Sequence, residues 1–546
     1  MSEKMSELSF KFSDLFTADY RLITALLIIL PFIIYVQVYD FSFVWDDNGT
    51  DEVRHLNNPF VLNPSSESFG QLFSESYFGM YIPVSYLFWG MLKWFSELFS
   101  LPLNSVLHLS NVVVHIINGL LVFTVLRQFV NNKWAVLIGV LFFLLHPIQV
   151  EAVAWVSEFR NLLAFGFSLS ALIIYLKNQT NLSYGSLLLF VLAVLSKPSA
   201  VVLPLIIFAI NYFHYGFKLK HNIIRTLPFG LIALIAAIII INIQSHGIVD
   251  NQVATYAQRP VIWLNSIALY LKQLIYPANL NAVYGLPVPY MVHQWWFAIF
   301  PIIPLSLGVY FWIVRKKQPL LLFASSLFLI GFLPTSGFAS FSFQLVSIVA
   351  DRYLYFSMLG VALLIASIFS TDKIIKQGLI IAVLVGFSAL SVFKQIPIWN
   401  NELKLWQYVV NHAQYDSYYA KRALGSAFHN EGWALAKRGK NQQALAILDN
   451  LIANQFNHKL YFIDNTFYLR GVIMMQQQKY QKALSDFSQS IAINAKNSDS
   501  REGKIAVFTA LGQCLNAQTE IDLMHQQQFK IPAFLLIDFQ KKCPNQ

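Results

Sequence analysis

Along the first 396 residues the apolar positions fuse into blocks, most of them about 15 to 20 residues long, close to the length that crosses the hydrocarbon core of a bilayer. Eleven such blocks are expected as spanning helices: 22–38, 106–126, 134–148, 160–176, 184–197, 199–213, 227–243, 296–314, 319–334, 353–370 and 378–394. Beyond about residue 396 the texture changes, with Gln, Asn, Lys and Asp common and apolar residues dispersed. The pattern predicts an all-α protein: a polytopic membrane helical bundle over 1–396 and a soluble helical domain over 397–546.

Basic residues orient the blocks. Lys4, Lys11 and Arg21; Arg127 and Lys133; Lys218, Lys220 and Arg225; Arg315, Lys316 and Lys317; and Lys373 and Lys376 all fall on one side if the N-terminus is cytoplasmic. The apolar stretch from Val261 to Ile275 would break that parity, so it is expected as an interfacial or re-entrant helix on the outer side, in keeping with its Asn265, Lys272 and Gln273. An odd number of crossings then places the first large loop, about 39–105, and the C-terminal domain outside, in a periplasm or lumen. The first block has no small-residue cleavage site after it, so it is expected as a retained helix.

The C-terminal domain carries an internal repeat. Gly432 and Ala444 recur as Gly471 and Ala483, 39 residues later, and Phe467, Gly471, Tyr480, Ala483 and Phe487 resemble the tetratricopeptide pattern. Small residues at these places let paired helices approach, with aromatics filling the groove. Leu511 and Gly512 are expected to mark a third, degenerate unit, and a plain helical-hairpin domain is the alternative. Cys514 and Cys543 are too few and too far apart for a zinc site; they would pair in an oxidising compartment or remain two free thiols.

Composition agrees with a lipid solvent: 56% of residues are hydrophobic and 12% charged. The formal charge of +10 sits in short loops beside apolar blocks, where cytoplasmic retention explains it, so nucleic acid is not an expected partner.

Charges at the ends of membrane helices are costly, and they mark the places to look for chemistry. Five segments stand out, all on the outer side. Trp45-Asp46-Asp47 follows the first span; adjacent carboxylates there would hold a proton, act as a general base, share a divalent cation, or simply form a solvated turn. HPIQVEAVAWVSEFRN, residues 146–161, packs His146, Glu151, Glu158 and Arg160 into a segment apolar enough to lie in the interface. LSKPSAVVLP, residues 195–204, sets Lys197 beside Pro198, as a phosphate grip or a snorkelling side chain. DRYLYFSMLG, residues 351–360, brings Asp351, Arg352, Tyr353 and Tyr355, as a phosphate fork or a structural anchor. YPANLNAVYGLPVP, residues 276–289, carries no acidic or basic side chain and reads as wall. Together, two carboxylates and several cations on one face suggest a base for an acceptor and a clamp for an anionic lipid leaving group.

These segments, with HLSNVVVHIINGLL at 108–121, occur in an order that resembles the transmembrane-and-tetratricopeptide protein O-mannosyltransferases and their bacterial relatives, within the C-type glycosyltransferase superfamily. The resemblance implies a polyprenyl-phosphate sugar donor, a protein hydroxyl acceptor at the outer face recruited through the helical repeats, inversion at the sugar's first carbon, and a bacterial inner membrane. It implies Asp46 or Asp47 as base, with Asp46 slightly favoured, and Arg352, Lys197 and Arg160 as phosphate contacts. His146, Glu151, Glu158, Asp351, Tyr353 and His108 would shape the substrate pocket. Two departures stand against the family pattern. Tyr81-Ile82-Pro83 lacks the Arg that relatives often carry in a Tyr-Arg-Pro run, and Glu158-Phe159-Arg160-Asn161 keeps one of two cations, so the donor is open to being a different lipid-linked sugar. A non-catalytic membrane scaffold that assembles an envelope complex is the competing class. A transporter would want charges at the bilayer midplane, and few spans carry any.

Overall fold

The computed structural model describes residues 10–47, 54–178, 183–244, 254–255, 257–338, 342–370, 374–413, 418–458 and 463–544. Two compact units divide the chain, one running to Leu405 with 412–415 and the other taking in 406–411 and 416–546. Both are helical, and among the described residues the only β pairings are the isolated bridges Tyr77 to Met80 and Leu286 to Ser347.

Among the described residues of the first unit six helices are long and apolar enough to cross a membrane: Ala18–Asp40, Leu103–Leu126, Val156–Lys177, Leu219–Ile243, Trp296–Val314 and Ile380–Asn400. A seventh crossing forms if Lys133–Leu145 and Pro147–Ala154, bent by 49°, count as one. The remaining expected blocks are also helical but shorter: Tyr184–Ser196, Pro198–Phe213, Pro319–Gly331 and Met358–Ile368. At 1.5 Å per residue, a helix of 13 residues reaches only about 20 Å, so helix length by itself carries six or seven crossings and not eleven. The Arg259–Ile275 helix falls outside the crossing set and buries Asn265, Tyr270 and Gln273 against its neighbours.

The short helices are cut by their sequences. Pro147 holds His146 in an extended conformation, and Pro198 does the same to Lys197, because the proline ring bars the preceding residue from the helical region. Each break turns a charged segment back into the bundle. Close packing beneath the breaks relies on glycine: a Cβ at Gly360 would strike the backbone of Ala324 and Phe328, and one at Gly139 would strike the Ala362 carbonyl.

The second unit is a run of antiparallel helices from Tyr418–Lys437 to Ala533–Lys542. Gly432 faces Leu448, and 39 residues on Gly471 faces Phe487, whose ring Gly503 of the next helix also receives. Ala444 and Ala483 are fully buried at the matching positions. Cys514 and Cys543 form a disulfide with Cα atoms 5.7 Å apart, which fastens Cys514–Gln526 to the end of Ala533–Lys542 around Ile521, Met524 and Phe539.

That bond closes a sequence separation of 29 residues. Cys514→Ser is expected to destabilise the second unit by about 3 kcal/mol, the order given by lost loop closure in the unfolded chain. Urea unfolding of the intact protein checks this, with thiol alkylation before and after reduction reporting the pairing; an unchanged midpoint would contradict it.

Candidate functional site

The segment after the first crossing turns sharply at Val44–Asp47. Trp45 adopts a left-handed backbone, φ 57°, which costs energy in a residue with a Cβ, and its indole stacks on Trp155 with ring centres 4.5 Å apart. The carbonyls of Asp46 and Asp47 accept from the amides of His55 and Leu56 at 3.1 and 2.9 Å, so the loop closes with His55 beside the acidic pair.

The two aspartates are not equivalent. Asp47 is fully buried; one carboxylate oxygen accepts from the amide and hydroxyl of Ser157 at 2.8 and 2.5 Å, and the other from the amide of Val44 at 3.0 Å. Asp46 is partly exposed and lies in the fields of Arg160, Arg54 and Arg352. Burial pushes the Asp46 carboxyl above the usual carboxylate range while those guanidinium groups pull it down. Burial likewise pushes Asp47 up to about 7, opposed by its hydrogen bonds from Ser157 and Val44.

Around this turn the broken helices deliver a cluster of buried charge. Glu151 engages Arg352 twice, one oxygen on the guanidinium and the other on the Arg352 amide at 3.0 Å. Glu158 is shared: Lys197 Nζ reaches one oxygen at 2.7 Å and Arg160 Nη2 the other at 3.5 Å. Arg160 Nη1 donates to His55 Nε2 at 2.6 Å. The Arg352 guanidinium is walled by aromatics, 5.2 Å from the Trp45 ring centre, 4.5 Å from Phe343 and 4.9 Å from Tyr353. Counted by pairs, Arg352 is neutralised by Glu151, whereas Lys197 and Arg160 divide one carboxylate between them. One positive charge of these two cations is thus left over to face the Asp46 carboxylate.

The Leu103–Leu126 helix frames the cluster. Asn111, His115 and Asn118 lie on one helical stripe. Asn111 donates to the Trp155 carbonyl at 2.8 Å; Asn118 donates to the Leu162 carbonyl at 3.0 Å and to Tyr355 Oη at 3.1 Å; and His115 Nδ1 lies 2.8 Å from that same hydroxyl. Asn161 donates to the Arg352 carbonyl at 3.0 Å, which links the 146–161 and 351–360 segments directly. Asp351 accepts from Tyr284 of the 276–289 wall at 2.7 Å.

The structure thus brings Asp46, Asp47, Glu151, Glu158, Arg160, Lys197, Arg352 and Tyr353 together, with Asp351 behind Arg352. His146 and His108 are placed differently. His146 accepts from the Ile148 amide at Nδ1 and lies 3.0 Å from the Leu274 carbonyl at Nε2, so both nitrogens serve the backbone at the helix break. His108 is fully buried between the rings of Phe41 and Phe43. The 146–161 segment, which follows the break at Pro147, is buried against the rest of the protein along its length. Among the described residues no three His, Cys, Asp or Glu side chains gather as a metal-ligand set, and both Asp47 oxygens already hold donors, so a divalent cation at the acidic pair would rest on Asp46.

His55 was not legible in advance. It lies in a polar loop without periodicity, and only the backbone pairing of 46–47 with 55–56 shows that it belongs here.

No family profile matches the chain, and no solved structure matches it. Among curated proteins, it is similar to one from Caenorhabditis elegans named protein O-mannosyl-transferase F38B6.6, with 26% identity over 416 residues, or 70% of this chain. The matched region is 56% of that relative's length, so the chain spans little more than half of it.

Proposed function

We propose that this protein is a membrane glycosyltransferase that moves a sugar, mannose by its similarity, from a polyprenyl-phosphate carrier to a hydroxyl group on a protein at the outer face of the membrane. The observation that carries this reading is the meeting of a partly exposed carboxylate, Asp46, with Arg160, Lys197 and Arg352 in one buried cluster drawn from four distant segments. Transfer from such a donor needs a base for the acceptor hydroxyl and positive charge for the departing phosphate. Asp46 takes the proton, the acceptor oxygen bonds to the sugar's first carbon from the opposite face, and the bond to phosphate breaks, with inversion. Asp47, whose oxygens serve Ser157 and Val44, fixes the turn that aims Asp46. Arg160 and Lys197, sharing Glu158, supply positive charge that is freed for the phosphate as Asp46 takes the proton, and Arg352 offers its aromatic-walled guanidinium.

The similarity to a named protein O-mannosyl-transferase supports the class and the protein acceptor. The repeated pairs of Gly432 with Leu448 and Gly471 with Phe487 support a tetratricopeptide-like second unit that presents the acceptor. Its disulfide supports an oxidising compartment, hence the second unit on the periplasmic or lumenal side, and the basic residues between the apolar blocks support a cytoplasmic N-terminus.

Asp46→Asn is expected to lower transfer from a polyprenyl-phosphate sugar by about 10²–10⁴-fold, the range for a lost general base, with the thermal midpoint unchanged. Asp47→Asn leaves the Val44 amide without its acceptor and lowers the midpoint as well. Full turnover in the Asp46 variant, measured in membranes at matched expression, would reject the base assignment.

The pH dependence has a definite sign. Asp46 acts ionised, and burial raises its pKa, so turnover falls as pH falls through a limb above the ordinary Asp value of about 4. A kcat/KM profile with its acidic limb at or below that value would count against Asp46.

A further inference from the structure

We infer that His55 is a positioning residue for the donor phosphate: it holds Arg160 by a neutral acceptor, so that the guanidinium is aimed without its charge being cancelled. The inference rests on the glycosyltransferase reading and adds to it a residue outside the acidic pair and the three cations.

The hydrogen-bond directions follow from chemistry. Arginine has no acceptor, so at 2.6 Å the Arg160 Nη1 group must donate and His55 Nε2 must accept with its lone pair. The ring proton then sits on Nδ1 and points at Tyr86 Oη, 3.1 Å away. Tyr86 in turn donates to the Tyr77 carbonyl at 3.4 Å, in the turn where Tyr77 and Met80 pair their backbones. One tautomer is therefore written into a chain running from backbone carbonyl to tyrosine to imidazole to guanidinium. The surroundings keep that imidazole uncharged: burial holds its pKa well below the usual histidine range, and Arg160, Lys197 and Arg54 push the same way.

A carboxylate at this position would anchor Arg160 more tightly, but it would add a further negative charge to those of Glu158 and Asp46, against the same Lys197, Arg160 and Arg54. A neutral acceptor anchors and leaves the charge available. Arg160 keeps capacity as well as charge, since its Nε is buried and meets no acceptor among the described residues. The ring is wedged by Phe78, Tyr86 and Trp89, with centres 4.9, 6.1 and 5.7 Å away, so its nitrogens cannot swing elsewhere.

The test compares two amides of different reach in the full chain. Glutamine places its side-chain oxygen as far from the backbone as His55 Nε2, whereas asparagine reaches only the Nδ1 position. Binding of undecaprenyl phosphate to the purified protein in phosphatidylcholine nanodiscs, and KM and kcat with an undecaprenyl-phosphate mannose donor, are the readouts. His55→Asn is expected to weaken binding about tenfold or more, the loss appropriate to one hydrogen bond to a charged group, and to raise the donor KM more than it lowers kcat. His55→Gln should recover binding to within about threefold of the parent. Equal behaviour of the two amides, in a parent that binds the lipid phosphate, would overturn the positioning role while leaving the glycosyltransferase reading intact. A parent that neither binds undecaprenyl phosphate nor turns over its mannoside would overturn both. Tyr86→Phe, which retains the ring and removes the acceptor for Nδ1–H, provides a second variant should the Asn form fail to fold; it too should weaken lipid-phosphate binding, and unaltered binding would argue against the relay.

Discussion

A carboxylate shut away from water and shared by two cations sets the terms for the rest of this site. Glu158 has no exposure, and a carboxylate buried in this way without a cation would be an uncompensated charge, a loss of about 3 to 5 kcal/mol. Two cations reach it, Lys197 from a break between two short helices and Arg160 from the first turn of the Phe159–Lys177 helix. The same constraint explains why charges occur at all in a chain this apolar. Each is tolerable only where another segment brings its partner, so the segments are tied to one another as firmly as their helices pack.

Delivery depends on interrupted helices. An unbroken apolar helix can offer charge only at its ends, whereas proline at 147 and 198 ends the helix early and returns the chain at an angle. Glu151 and Lys197 both ride on such returns. The backbone groups freed at the breaks then need partners inside the protein, since lipid provides none. His146 accepts the Ile148 amide, and Asn111 and Asn161 donate to the carbonyls of Trp155 and Arg352. These asparagines lie on helices beside the site and hold its backbone in place.

How much of this was readable follows from the physical scale of each feature. Helical class, the change of texture near residue 396 and the charged segments stand out because lipid imposes a long, uniform apolar signal that any charge or proline interrupts. The lengths of the helices did not follow, because a block of apolar residues fixes solvent preference but not where the helix inside it stops; Met358–Ile368 begins well inside the block expected from residue 353. The acidic pair was legible as a pair. Its division was not, since only Ser157, more than a hundred residues away, decides that Asp47 is the bound member. His146 and His108 were grouped with the pocket by their motifs, while their nitrogens and rings answer to the backbone and to Phe41 and Phe43. The pairing of Cys514 with Cys543 likewise needed the fold that sets their backbones side by side.

The strained turn at Trp45 joins these themes. A left-handed indole-bearing residue persists only if its surroundings hold it there, and here the Trp155 stack, the Arg352 guanidinium and the buried Asp47 all do so. Relaxing the turn would separate the stack, draw an aromatic wall from Arg352 and move Asp46 out of the field of three guanidinium groups. The carboxylate and the cations are thus positioned by one conformational choice rather than by independent contacts. On the proposed function, a base and an anion clamp coupled in this way would keep their spacing whichever of them a substrate engaged first, as a reaction that removes a proton and releases a phosphate together requires.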